Sequence, residues 1–147
     1  MSPPVFRYPT TLNLRDTDSA GVAFFASYFA IAHNAYEALL KSRGARLSDW
    51  LGEVHLPIVH SSADYQAPIR LGDSFDVEVS CTRIGRASFT LSYHFYSADR
   101  VSLARLKTVH VAVKVQGESH TSTPLPEQVR ELLSEIDRSS HVQEGDS

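Results

Sequence analysis

Hydrophobic side chains recur every three or four positions in one segment near the start of the chain. This spacing predicts a helix from Ser27 to Arg43, with Ser27 as its N-cap and Gly44 as the residue that ends it. Alanines are frequent along the segment and keep the helix thin, so we expect a sheet to pack closely around it. The apolar face of the predicted helix consists of Phe29, Ala32, Tyr36, Leu39 and Leu40.

After this helix, apolar and polar side chains alternate with a period of two, which is typical of strands. Two such strands are predicted at 75–82 and 87–96, each followed by a turn, "IGR" and "ADR". Earlier stretches near 6–15 and 55–65 also have the composition of strands. A last strand is predicted at 108–115, where the residues on one side are Val109, Val111, Val113 and Val115.

The order of these elements is a strand, one long helix and then a run of antiparallel strands. It predicts an α+β fold in which one antiparallel sheet covers one helix. A short helix over 126–138 completes a single domain of residues 1–138, and the polar tail 139–147 is predicted to be disordered. A single sheet has an uncovered face and uncovered edges, so we expect the subunits to associate.

Composition narrows the classes of function. The 147 residues are 42% hydrophobic and carry a net charge of -3, which argues against nucleic acid or an anionic membrane surface as the main partner. One cysteine allows no intramolecular disulfide, and the N-terminus lacks the pattern of a signal peptide, so we expect a cytoplasmic protein. Residues 19–36 contain no Asp, Glu, Lys or Arg, but polar residues interrupt them, and we expect no membrane insertion.

Several common active sites are absent from the sequence. It contains no G-x-S-x-G elbow, phosphate-binding loop or G-x-G-x-x-G motif, which disfavours an α/β-hydrolase or a nucleotide-binding enzyme. His33 and Glu37 are one helical turn apart but lack the rest of a zinc motif, so we expect no metal site there. Glu37 is expected to pair with Lys41 instead. Cys81 alternates with apolar neighbours and is predicted to be an inert buried thiol.

Two acids, Asp16 and Asp18, precede the helix in the stretch "RDTDSAGVAFFASYF". One interpretation is structural, since an aspartate at this position can bond nearby backbone amides in a turn. The other is catalytic, because a carboxylate held against the start of a buried helix is placed for chemistry. Spacing alone leaves both interpretations open.

The stretch "DTDSAGVAFFASYF" resembles the D-x-D-x-x-G-h-h-[YFW]-x-x-x-[YF] signature of the 4-hydroxybenzoyl-CoA thioesterase family, whose hotdog fold wraps an antiparallel sheet around one long helix. Further segments, among them "LPIVHSSADYQAPIRLGD" and "TRIGRASFTLSY", look like the branch of this family that hydrolyses 1,4-dihydroxy-2-naphthoyl-CoA in phylloquinone synthesis. The resemblance covers roughly residues 5–126. It implies a thioester hydrolase that acts on an acyl-CoA and needs no cofactor or metal.

Carried over residue by residue, the resemblance implies that Asp18 is the catalytic carboxylate, either as nucleophile or as the base that activates water. The backbone N–H of Phe25 would polarise the thioester carbonyl at the start of the helix. Asp16 is expected to be a solvated or interface residue. Some relatives carry a histidine where this chain has Phe25, and its absence favours an aromatic acyl pocket. The candidate residues of that pocket are Phe24, Phe25, Tyr28, Trp50 and Tyr65.

Coenzyme A carries phosphates, and a basic segment of the chain offers partners for them. Arg83 and Arg86 flank the turn glycine Gly85 and are predicted to bind these phosphates, with a solvated hairpin tip as the alternative. The resemblance also implies a homo-oligomer, a tetramer built from dimers, with the acyl site at a subunit interface. Two other functions stay open: a thioesterase for aliphatic acyl-CoA or acyl carrier protein, and a hotdog module that binds acyl-CoA without cleaving it.

Overall fold

The computed structural model describes residues 4–42 and 52–141, and within them one long helix lies against an antiparallel sheet. The two helices of these ranges are α1 (Ser27–Lys41) and α2 (Glu127–Ser134). The strands are β1 (Phe6–Thr11), β2 (Val54–His55), β3 (Ile58–Tyr65), β4 (Ser74–Ile84), β5 (Ser88–Ser97), β6 (Ser102–Val111), β7 (Val113–Gln116) and β8 (Ser119–Ser122).

Five of the described strands form the main sheet in the order β1-β4-β5-β6-β3, and all neighbours are antiparallel. Helix α1 covers one face of this sheet, and its alanines Ala32 and Ala35 are almost fully buried there. Small side chains at these positions let the helix approach the sheet closely. The expected α+β arrangement is confirmed. The inward residues of β4 and β5 are Phe75, Val77, Val79, Cys81, Phe89, Leu91, Tyr93 and Phe95.

The strand predicted at 108–115 is two strands that belong to different sheets. β6 ends at Val111, and β7 pairs with β2 and β8 in a second sheet of three described strands. The break lies at Ala112, whose N–H donates to Ala87 O at 2.8 Å. In this region the buried side is the less apolar one, formed by Thr108, His110 and Ala112, while the valines are only partly buried.

Other boundaries also differ from the prediction. Ala26, not Ser27, is the N-cap residue of α1, and Ser27 is its first helical residue. The predicted ends of the helix, Arg43 and Gly44, lie outside the described residues. The strand expected at 6–15 stops at Thr11, and a 3₁₀ turn follows at Leu14–Asp16. The strand expected at 55–65 is divided between β2 and β3.

The C-terminal segment packs against the sheet through α2 and then runs alongside β4. Cys81 N–H donates to Ile136 O at 2.8 Å, and Arg138 N–H donates to Cys81 O at 2.7 Å. A 3₁₀ turn follows at Ser139–His141, at the start of the tail that the sequence predicts to be disordered. Residues 142–147 of the expected tail lie outside the described residues. Over the described ranges, neither helix is both long and apolar enough to cross a membrane.

Candidate active site

Asp16 is a structural residue of the loop that leads into α1. Its Oδ2 accepts the Asn13 N–H at 3.1 Å, and its backbone carbonyl accepts the Phe24 N–H at 2.9 Å. The Asp16 side chain is only 14% exposed. This carboxylate closes the 3₁₀ turn, and the Asp16 backbone holds Phe24, three positions before the first helical residue. Within one subunit Asp16 is therefore bonded into the loop and is not simply solvated, and its place at a subunit interface stays a prediction.

Asp18 adopts the turn that the structural interpretation described. Its Oδ1 accepts the N–H groups of Ala20 at 2.8 Å and Val22 at 3.4 Å. Gly21 completes the turn with a φ of +77°, a conformation that glycine adopts without strain. Within the described residues no group bonds Oδ2, and the Asp18 side chain is exposed. The turn thus fixes one carboxylate oxygen and leaves the other free to act.

The loop that carries Asp18 is anchored to the segment that connects β3 with β4. Ala23 N–H donates to Ile69 O at 2.8 Å, and Leu71 N–H donates to Gly21 O at 3.0 Å. Arg70, which pairs with Val22, is exposed beside this loop. The sequence did not predict that Arg70 lies beside the Asp18 loop, since its only signal was its place in a turn-forming "IRLGD" segment.

The start of α1 presents backbone donors without a side-chain cap. Ala26 makes no side-chain cap bond, and in the described ranges the Phe25 N–H donates no hydrogen bond. Tyr65 O–H donates to the Phe25 carbonyl at 3.2 Å, which ties this end of the helix to the end of β3. Free N–H groups and the helix dipole create a positive potential here, suited to a developing oxyanion.

Aromatic side chains surround a first cavity of about 290 Å³ at this end of the helix. The Tyr28 and Tyr65 rings meet edge to face at 4.8 Å, and the Phe24 ring contacts the Phe25 ring at 4.8 Å. Of the predicted pocket residues, the structure brings Phe25, Tyr28 and Tyr65 together around the cavity. Phe24 contacts Phe25 but does not line the cavity, and Trp50 lies outside the described residues. The lining residues are Ala23, Phe25, Tyr28, Tyr65, Gln66, Ala67 and Pro68.

A second cavity of about 390 Å³ follows along the next turns of the same helix and the same edge strand. Tyr93 and Thr108 form its inner wall, and sequence reasoning assigned neither of them a role. Tyr93 belongs to the apolar side of the predicted strand 87–96, and the only signal for Thr108 was that polar residues alternate with valines in the predicted strand 108–115. The lining residues are Phe29, Ala30, Ala32, His33, Ile58, Ser61, Tyr93 and Thr108.

Burial controls the titration of the groups behind these cavities. It lowers the pKa of His110 to about 4, and it raises the pKa of Tyr36 to about 12. The pKa of Tyr28 is raised by burial first and by the neighbouring Tyr65 second. Cys81 is buried, as predicted, and burial raises its pKa to about 12, which favours an inert thiol.

Arg83 and Arg86 lie far from Asp18 within one chain. Ser74, at the start of β4, pairs with the end of β1 near the Asp18 loop, whereas Arg83 lies close to the other end of β4. An extended strand rises about 3.3 Å per residue, so roughly 30 Å separates the two ends. Arg130 holds the hairpin tip by donating to the carbonyls of Gly85 and Arg86, both at 2.9 Å.

Comparison with known proteins gives the fold and the family. A family model described as thioesterase-like superfamily matches residues 12–133. A 1,4-dihydroxy-2-naphthoyl-CoA hydrolase from Synechococcus elongatus is 34% identical over 131 residues, which cover 87% of this chain and 94% of that protein. The hydrolase of the same description from Picosynechococcus is 36% identical over 126 residues, covering 81% of this chain and 86% of that protein.

Solved structures agree with these relatives. The crystal structure of a 1,4-dihydroxy-2-naphthoyl-CoA thioesterase from Synechocystis superposes with a TM-score of 0.81 at 32% identity, covering 88% of this chain and 96% of that one. The family match spans most of the chain, and both relatives exceed 30% identity over more than two thirds of it. The chain belongs to the thioesterase-like superfamily and has its hotdog fold.

Proposed function

We propose that this protein is an acyl-CoA thioesterase that hydrolyses an aromatic acyl-CoA, with 1,4-dihydroxy-2-naphthoyl-CoA as the favoured substrate. The observation that carries the proposal is the Asp18 carboxylate, which has one oxygen fixed by the turn and one oxygen free beside the uncapped start of α1. The 1,4-dihydroxy-2-naphthoyl-CoA hydrolases that resemble this chain over most of its length support the choice of substrate.

The reaction adds water across the thioester to give a carboxylic acid and free coenzyme A. The Asp18 Oδ2 either attacks the carbonyl carbon, forming a mixed anhydride that water then opens, or removes a proton from the water that attacks. In both routes the carbonyl oxygen becomes an oxyanion, and the Phe25 N–H donates to it. The departing thiolate needs no strong general acid, because a thiol pKa is about 8.5 if it resembles that of cysteine.

The first cavity is the proposed entrance for the aromatic acyl group. Ala23 lines this cavity and pairs with Thr17, the neighbour of Asp18, so the cavity begins next to the proposed carboxylate. Tyr28 is buried and Tyr65 is half-exposed, which gives the acyl ring an apolar wall with one polar rim. Aromatic side chains stack with ring-shaped acyl groups better than they pack against a flexible chain.

The proposed subunit contact is the free edge of β3. This strand is exposed along almost its whole length, and it carries the exposed apolar residues Ile58 and Val59. A bare apolar edge recruits another strand, and a twofold axis pairs two copies of the same strand in antiparallel orientation. We expect two such dimers to associate into a tetramer, and we expect the protein to work in the cytoplasm.

Antiparallel pairing of β3 also gives Arg83 and Arg86 a role. Along the strand direction, the sheet has two ends. Asp18 lies at the end where β3 finishes, and the β4–β5 hairpin lies at the opposite end, where β3 begins. A twofold axis between two β3 strands reverses these ends, so the partner's hairpin comes level with Asp18. The coenzyme A phosphates are then proposed to reach Arg83 and Arg86 of the partner subunit.

The experiment that tests the proposed function measures free thiol released from a panel of aryl-CoA and aliphatic acyl-CoA thioesters. We expect turnover of 1,4-dihydroxy-2-naphthoyl-CoA well above that of aliphatic acyl-CoA. Preference for aliphatic substrates or for acyl carrier protein would replace the proposal with the broader thioesterase. Tight binding of acyl-CoA without thiol release would make the protein a binding module.

Light scattering on the same samples tests the assembly. We expect dimers or tetramers at micromolar concentration, since the coenzyme A site as proposed needs two subunits. A monomer with full activity would contradict the β3 contact and the role of the two arginines, and it would leave Asp18 unaffected.

A further inference from the structure

A chain of three buried polar side chains forms the inner wall of the second cavity. Tyr93 Oη and Thr108 Oγ1 are 2.9 Å apart, and Thr108 Oγ1 and His110 Nε2 are also 2.9 Å apart. This series of hydrogen bonds ends at the Leu56 carbonyl, 3.4 Å from His110 Nδ1. Tyr93, Thr108 and His110 are each at most 5% exposed, although Tyr93 and Thr108 line the cavity.

The direction of these hydrogen bonds follows from their last member. The Leu56 carbonyl can only accept, so His110 Nδ1 carries the hydrogen and Nε2 is an acceptor. Thr108 therefore donates its hydroxyl hydrogen to Nε2, and Tyr93 donates its own hydrogen to Thr108 Oγ1. Burial lowers the pKa of His110 to about 4, which keeps the ring neutral and this direction unchanged near pH 7.

The His110 ring is held in this orientation by its neighbours. It stacks on Phe89 with a centroid distance of 4.6 Å and an interplanar angle of 7°, and Tyr36 packs against it at 5.0 Å. This packing fixes the plane of the ring, and the hydrogen bond from Nδ1 to the Leu56 carbonyl fixes which edge of the ring faces Thr108. The two hydroxyl hydrogens are consequently committed within the wall.

The wall therefore offers the cavity acceptors and no donors. Thr108 Oγ1 donates one hydrogen bond and accepts one, which leaves one lone pair, and Tyr93 Oη keeps acceptor capacity as well. A ligand group that matches these atoms must bring its own hydrogen. A hydroxyl group on an aromatic ring does so, whereas a ring hydrogen or a methyl group offers no hydrogen to these spare lone pairs.

The position of the wall fits the far end of an acyl group. The first cavity touches Tyr28 on α1 and Tyr65 at the end of β3, and the second touches Phe29 and His33 farther along α1 and Ser61 farther back along β3. An acyl group whose carbonyl lies at the start of α1 and which extends along the helix would point toward this second cavity. Its volume of about 390 Å³ is within the range of small-molecule sites.

We propose that Thr108 and Tyr93 form a specificity subsite that selects aromatic acyl groups carrying a hydroxyl donor remote from the thioester, with His110 as the positioning residue. This inference rests on the proposed function, because it assigns the selectivity of that same site. The subsite recognises the donor and takes no part in bond cleavage.

The test compares two thioesters that differ by one hydroxyl group, 1,4-dihydroxy-2-naphthoyl-CoA and 1-hydroxy-2-naphthoyl-CoA. Thr108→Val keeps the shape of the side chain and removes the acceptor. We expect it to lower kcat/KM about 10- to 100-fold for the dihydroxy substrate and less than about twofold for the monohydroxy substrate. Thr90→Val, the same change on the opposite face of neighbouring strand β5, is expected to alter neither.

Binding of the two free acids, measured by calorimetry, provides a readout that does not depend on turnover. The wild type is expected to bind the dihydroxy acid more tightly, and Thr108→Val to remove that difference. Equal losses for both ligands, or no preference in the wild type, would overturn the subsite. If Thr108→Val does not fold, Tyr93→Phe is measured in its place. It removes only one of the two acceptors, so we expect a smaller loss that again falls on the dihydroxy ligand alone.

Failure of the proposed function has a different signature. A wild type that releases no thiol from either substrate, yet binds the dihydroxy acid more tightly than the monohydroxy acid, would reject the hydrolysis and keep the subsite. A wild type that hydrolyses both thioesters at the same kcat/KM would keep the hydrolysis and reject the subsite. A wild type that neither cleaves the thioesters nor distinguishes the acids would reject both.

Discussion

The two cavities along α1 differ in the hydrogen bonding of their polar groups. At the first cavity, Asp18 is exposed and one of its oxygens bonds no group of the described residues, while the Phe25 N–H lacks a partner there too. At the second cavity, Thr108 and His110 are buried, and each bonds to a neighbour. Unpaired groups at a water-facing entrance are free to meet charge that develops during a reaction.

The physical cost of burial explains the difference. A buried polar atom without a partner is costly, so the inner wall keeps its groups bonded to one another and presents only spare lone pairs. The entrance has water as a substitute partner, so it can leave an oxygen and an N–H unpaired until substrate arrives. In the proposed enzyme the entrance therefore performs the chemistry and the inner wall recognises the acyl group.

The largest expected effect comes from removing the free oxygen at the entrance. Asp18→Asn keeps Oδ1 as the acceptor of the turn N–H groups but removes the nucleophilic or basic oxygen, so kcat should fall by about 10²–10⁴. Steady-state kinetics together with melting temperatures on the same samples check this. An Asp18→Asn protein that folds normally and turns over near the wild-type rate would end the catalytic assignment.

Asp16→Asn is the matched control for this substitution, since the two acids are two residues apart. Asp16 closes the 3₁₀ turn, so we expect a loss of about 0.5–2 kcal/mol in the free energy of unfolding and a much smaller fall in kcat. Similar falls in kcat for both variants would show that loop structure, and not the Asp18 carboxylate, limits turnover.

A contact outside both cavities should affect binding of coenzyme A and not the chemical step. Arg86→Ala is expected to raise KM for CoA thioesters about tenfold with kcat nearly unchanged, because a phosphate contact serves ground and transition states alike. The difference from wild type should shrink at high salt, since Arg86 is exposed. A large fall in kcat at unaltered KM would remove Arg86 from this role.

A smaller effect is expected from the hydrogen bond that ties the start of α1 to β3. Tyr65→Phe removes the O–H that donates to the Phe25 carbonyl, and one such bond is worth about 0.5–1.5 kcal/mol. We therefore expect kcat/KM to fall about two- to tenfold. Tyr8→Phe in β1 serves as the control, and the assignment fails if both variants lose the same amount.

Acid should weaken the inner wall of the second cavity. The pKa of His110 is about 4 in the folded protein, compared with an ordinary value of 6.5. Between these two pH values the unfolded chain therefore binds a proton that the folded protein does not bind. Stability is therefore expected to fall as the pH decreases from about 6.5 to about 4. Thermal unfolding of His110→Asn should show a shallower fall over this window than wild type, and an equal slope would speak against a buried neutral ring.

The sequence by itself was sufficient to predict the helix and strands whose two faces differ strongly in polarity. The helix was predicted from its apolar face, and β4 and β5 were predicted from apolar residues that alternate with polar ones. The inward direction of Cys81 followed from the same alternation. In such segments burial of the apolar face gives by far the lowest free energy, so local pattern and tertiary structure agree.

Only the tertiary structure decided which polar groups face inward and which distant residues meet. The side of β6 with Thr108 and His110 is buried, because a chain of hydrogen bonds satisfies its polar atoms, and no period-two pattern reveals that. The sequence motif identified Asp18 as the candidate carboxylate. Only the folded turn shows that backbone N–H groups bond Oδ1 of Asp18 and not Oδ2. The structural role of Asp16 likewise depends on a backbone N–H that the fold brings to its carboxylate. Local pattern reports which face of an element is apolar, whereas partners for polar groups come from other parts of the chain.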